Sequence, residues 1–149
     1  MKSPRGWIWL AVSIQVVGVG FEAAWHGLLD PGFEATTVRE MAAHLGTVHL
    51  PIYIGALAVL ASTAWALVDR MKRATAGVAL PVAFTGADGA TAAEVWHAAT
   101  HLQLSTRGGP IAGSIAWLGL LVVIVAVWLS GLGDRRRAAA TRVDRRRAA

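Results

Sequence analysis

The sequence predicts an all-α membrane protein: a bundle of four transmembrane helices, with a short amphipathic helix between the first and the second. Three observations carry that prediction. Of the 149 residues 55% are hydrophobic and only 15% charged, where a soluble domain carries about a quarter charged residues. Apolar stretches reach or approach the roughly 20 residues a helix needs to cross a bilayer. The basic residues collect beside those stretches, where membrane topology wants them.

The first span is expected over residues 7–29, after Lys2 and Arg5, with Trp7 and Trp9 at the interfacial level. Glu22 stands where a cleavable signal peptide would want a small residue, so an uncleaved helix is expected. Asp30-Pro31-Gly32 ends it with a turn. Thr37 and Glu40 then have capping-box spacing, and Val38, Met41, Leu45 and Val48 recur at helical intervals. That pattern predicts a helix lying at the membrane surface or over the mouth of the bundle.

The second span, 49–68, closes on Asp69-Arg70-Met71-Lys72-Arg73. The fourth, 110–132, is the clearest, with no charge between Arg107 and Asp134. The third is the most polar. Residues 74–87 are apolar, but Asp88 and Glu94 precede Trp96-His97. One long helix to about His101, its polar face turned inward, is preferred over a break near Pro81 or Gly86. Residues 1–133 thus form one transmembrane domain. Residues 134–149 read as a basic, disordered cytoplasmic tail.

Twelve of the fourteen Lys and Arg residues lie on one side of this arrangement: Lys2, Arg5, Arg70, Lys72, Arg73 and the seven tail arginines. Arg39 and Arg107 lie on the other. The positive-inside rule makes the first group cytoplasmic, which places both termini inside a multi-pass protein of the cytoplasmic membrane. The same distribution assigns the pI of about 11.1 to a lipid bilayer rather than to nucleic acid. With no cysteine, disulfides, thiolate metal sites and cysteine nucleophiles are excluded. The chain has no glycine-rich phosphate loop and no serine nucleophile motif.

All five histidines, His26, His44, His49, His97 and His101, fall at the non-cytoplasmic end of this topology. Glu22, Asp30 and Glu94 join them there, and ionisable groups in spans point to function by default. Glu22, His26 and Asp30 are spaced i, i+4, i+8. Glu94, His97 and His101 are spaced i, i+3, i+7. Each set shares one helix face, and His49 stands at the mouth of the second span. Imidazole and carboxylate suit copper, zinc or iron. The candidate ligands are therefore Glu22, His26, His49, Glu94, His97 and His101. His44 is expected at the polar rim, and Asp30 serves the turn at least as well as a metal. Glu22-Ala-Ala-Trp25-His26 has a faint echo in Glu94-Val-Trp96-His97, a two-helix unit used twice.

Glu22-Ala23-Ala24-Trp25-His26, followed by His49-Leu50-Pro51-Ile52-Tyr53-Ile54-Gly55, resembles a segment of the C subunit of the copper membrane monooxygenases. The resemblance covers about a quarter of the chain. It implies copper held by Glu22, His26 and His49, with Glu22 in place of that family's Asp and an insertion carrying His44 before His49.

The function expected is a membrane metal-binding protein with its His/carboxylate site at the non-cytoplasmic end. Copper is the first choice of ion and zinc or iron the alternatives. The protein would be a subunit or partner of a copper-dependent membrane oxygenase, or a homo-oligomer. The competing readings are a haem b protein with facing histidines, a metal-dependent hydrolase with Glu22 or Glu94 as base, and a non-catalytic assembly subunit.

Overall fold

The computed structural model describes residues 4–73, 77–105 and 109–147, with side chains as far as Gly133. Among these residues the chain is all-helical. Helix α1 is Pro4–Ala24, and its last turn widens into a π-helical turn, Trp25–Leu29. Helix α2 is Val38–Leu45, α3 Leu50–Lys72, α4 Ala79–Leu102 and α5 Gly109–Arg147.

Three helical segments are long and apolar enough to cross a membrane: Pro4–Leu29, Leu50–Lys72 and Gly109–Gly133. Only 28%, 33% and 28% of their most apolar windows is buried within the protein. The outward remainder includes Val17, Leu28, Ile54, Leu57, Leu118 and Leu121, all well exposed. A soluble monomer rarely shows apolar surface on this scale, and the arrangement is that of a membrane protein. Helix α4 matches the others in length, at 24 residues, but Asp88, Glu94, His97 and His101 make it less apolar.

The helices pack as two pairs, α1 with α3 and α4 with α5, joined by contact between α3 and α4. Within each pair glycines bring backbones together. A Cβ on Gly55 would stand 2.5 Å from the Gln15 Cα, and one on Gly18 would stand 2.8 Å from the Ile52 nitrogen. Gly86 and Gly119 face each other likewise, a Cβ on either meeting the other's carbonyl oxygen at 2.8 and 2.5 Å. Ile8, Val12, Val59, Leu80, Leu120 and Val123 fill the core between the pairs. At one end the Arg5 guanidinium donates to Ser130 Oγ at 2.7 Å, so α1 begins beside the end of the apolar part of α5.

Local chemistry explains the remaining boundaries. Pro81 falls in the first turn of α4, where a missing N–H costs nothing, and the helix runs unbroken past Gly86. The capping box at α2 is complete: the Glu40 N–H donates to Thr37 Oγ1 at 3.2 Å and the Thr37 N–H to Glu40 Oε2 at 3.3 Å. Beyond Gly133 the backbone stays helical to Arg147, where the sequence predicts a disordered tail. Alanine and arginine are among the strongest helix formers, and the segment extends a helix already nucleated.

Candidate metal centre

The five histidines converge from four elements. His26 sits in the π-helical turn, His44 in the last turn of α2, and His49 caps α3. His97 and His101 end α4. They form two triads that share His49: His26, His44 and His49, and His49, His97 and His101. Within each triad one ligand atom per residue lies within 4.8 Å of the others. Around a tetrahedral ion held about 2.0–2.1 Å from each nitrogen, those atoms would stand roughly 3.4 Å apart, so either triad would have to draw together to hold one.

His49 is the hub. Its side chain is 1% exposed, and its ring lies 5.0 Å from His44, 5.5 Å from His101 and 5.7 Å from His97 between centroids. Its Nε2 is buried with no hydrogen-bond partner. The nearest carboxylate oxygen, Glu22 Oε1, stands 3.5 Å away, close enough for electrostatic attraction but not aligned for a hydrogen bond. A buried nitrogen without a partner is costly. An ion bound there would remove the cost.

The α4 pair is oriented by the backbone. His97 Nδ1 lies 3.2 Å from the Gly109 carbonyl oxygen, and a carbonyl can only accept. Nδ1 therefore carries the proton, and Nε2 presents a lone pair. His101 Nε2 lies 2.9 Å from that His97 Nε2 and donates its own proton to it. Metal-ligating histidines commonly show this arrangement, one ring nitrogen anchored to a carbonyl and the other left for the ion.

His44 departs from the expected rim position. It is 6% exposed, stacked on Phe33 at 4.4 Å between centroids, and edge-on to His26 at 5.1 Å. Burial, and next the neighbouring His26, hold its pKa below the ordinary value, against a smaller upward pull from Asp30. The signal was in the spacing: His44 follows Met41 by three residues and precedes Leu45, both buried. It lies on the apolar face of α2.

The acids separate. Glu22 reaches His49. Glu94 belongs to neither triad and lines an apolar cleft of about 400 Å³ with Tyr53, Thr91 and Leu102. Asp30 also lies outside both triads, and its carbonyl accepts from the Phe33 N–H in the turn. The one-face stacking of Glu22, His26 and Asp30 is broken by the π-helical turn, where the Asp30 N–H bonds to the Trp25 carbonyl, five residues back. Two further residues escape sequence reasoning. Tyr53 stacks on His49 at 6.0 Å, and its hydroxyl, like the indole nitrogen of Trp25, is buried without a partner. The Trp-His echo does not extend to packing, since Trp96 is 43% exposed.

No protein-family model, curated protein or solved structure matches the chain. The site has to be read from its own chemistry.

Proposed function

We propose that this chain is a four-span membrane protein that binds a transition-metal ion, copper first, at the non-cytoplasmic end of its bundle. The observation that carries the reading is the buried, unpartnered Nε2 of His49 at the junction of two histidine triads. Five imidazoles and a carboxylate, without thiolate, form a donor set for copper, zinc or iron. At equal geometry the divalent affinity order favours copper. The likeness of the Glu22, His26 and His49 segment to the copper membrane monooxygenases points the same way, toward a subunit or partner of such an enzyme.

Four spans require α4 to cross as well. Its length allows this, its histidines turn toward His49, and the Arg5–Ser130 bond puts the start of α1 and the far end of the α5 span together. That closeness supports an even number of crossings, and the charge distribution supports both termini on the cytoplasmic side. The haem b reading gains nothing from the geometry. A porphyrin between two axial imidazoles holds them on opposite faces, whereas His49 and His101, from facing helices, meet edge-on at 5.5 Å between centroids.

The direct test is elemental analysis of protein purified gently in detergent, beside a His49→Ala variant. Close to stoichiometric copper in the wild type, lost in the variant, supports the reading. Metal-free wild-type protein that takes up no added copper, zinc or iron overturns it.

A further inference from the structure

We propose that the two triads are successive stations for a single ion, and that the shared His49 hands it from one to the other. This rests on the metal-binding reading above and adds a direction and a capacity to it. His26 is the one exposed histidine of the five, so His26, His44 and His49 form the station that meets an arriving ion. His97 and His101, on α4, complete the second station around the same His49.

Geometry supports transfer across His49. Every ligand atom of each triad lies within 4.8 Å of the His49 atom that serves it. An ion that exchanges His26 and His44 for His97 and His101 therefore stays beside the His49 ring throughout. The N–H that His101 turns to His97 Nε2 must swing away when the ion takes that lone pair. His101 stays neutral, keeps its proton and has a lone pair on its other ring nitrogen for the ion.

Charge limits the capacity to one. Neutral imidazoles bring ligands but no compensating charge. Among the described residues Glu22 is the carboxylate within ion-pair distance of the hub. Two divalent ions joined through one imidazole would repel strongly at the low effective dielectric of a buried site, with a single nearby carboxylate to offset them.

Cobalt(II) titration of the full-length protein in detergent tests this, reading stoichiometry by dialysis and coordination by visible absorption. The wild type should bind one ion. The His26→Ala/His44→Ala variant and the His97→Ala/His101→Ala variant should each still bind one, with different spectra, and the first should load more slowly. His49→Ala should bind none. Where it loses helical content, His49→Gln takes its place. Two ions in the wild type would overturn the proposal. So would one double variant binding nothing while the other matches the wild type in spectrum and loading rate. Failure of the wild type to bind cobalt, copper or zinc at all would instead overturn the metal reading, and this proposal with it.

Discussion

His97 Nδ1 lies 3.2 Å from the carbonyl oxygen of Gly109, so the first residue of α5 dictates which nitrogen of a histidine on α4 carries the lone pair. The consequence is spectroscopic. In nitrogen-15 spectra of detergent-solubilised protein, the His97 Nδ1–H signal should survive zinc addition while the Nε2 resonance shifts. Zinc-induced loss of the Nδ1 proton signal would contradict the assignment.

Gly55 and Gly18 let α1 and α3 approach until backbone meets side chain, and Glu22 and His49 stand just beyond that contact. Gly55→Ala puts a methyl 2.5 Å from the Gln15 Cα, which is backbone and cannot swing aside. Overpacking of this kind costs about 1–3 kcal/mol. The variant should melt earlier in detergent and bind metal more weakly. Gly20→Ala, whose added methyl meets nothing within 4 Å, is the control and should do neither.

Thr37→Ala removes the cap of α2 and should cost about 1 kcal/mol. Amide exchange should accelerate in residues 38–45 while α3 and α4 keep their protection. Uniform acceleration along the chain would show that α2 does not open on its own. Hydrogen bonds from the Thr36 and Thr37 backbone and side chains hold the Glu40 carboxyl below its ordinary pKa of 4.5. The contribution of that carboxylate is present above the ordinary value and is lost as pH falls through the depressed one.

His44 titrates in the opposite chemical sense with the same outcome. Its folded-state pKa is lowered from 6.5 by burial and next by His26, so the unfolded chain takes up the proton first. Its contribution is complete above 6.5 and declines as pH falls below that value toward the depressed one. In metal-free protein the melting temperature should drop as the solution is acidified through this window. The drop should be shallower in His44→Gln, and an unchanged slope would remove His44 as its source.

Topology can be checked independently of metal. Reporter fusions at Ala35 and Ala140 should report opposite compartments, with Ala140 inside. The same compartment for both would mean an even number of crossings between them, and α4 would not span.

Much of this was legible in the sequence because membrane helices announce themselves by apolar length, and α2 by the Thr37–Glu40 cap. The unbroken α4 followed from the preference for one helix past Pro81, since proline is harmless in a first turn. Three features were not legible. No residue type at 25–29 marks a π-helical turn, and its extra residue breaks the face shared by Glu22, His26 and Asp30. The matched notches at Gly18 and Gly55 acquire meaning only when two helices meet. His44 hides for a different reason: polarity alone sends a histidine on an amphipathic helix to the rim, while its spacing from Met41 puts it on the buried face.

Helix α2 has eight residues, fewer than an isolated helix needs to persist in water. It exists because its cap and the burial of Met41, His44 and Leu45 hold it in place. In the proposed order of stations, one ligand of the first, His44, is therefore mounted on the least self-sufficient element of the fold, and two of the second on a 24-residue helix packed against α5. Where α2 opens, binding at the first position must also order its own support, a cost the second does not carry. The difference gives the passage between them a thermodynamic slope, steepest under conditions that loosen α2.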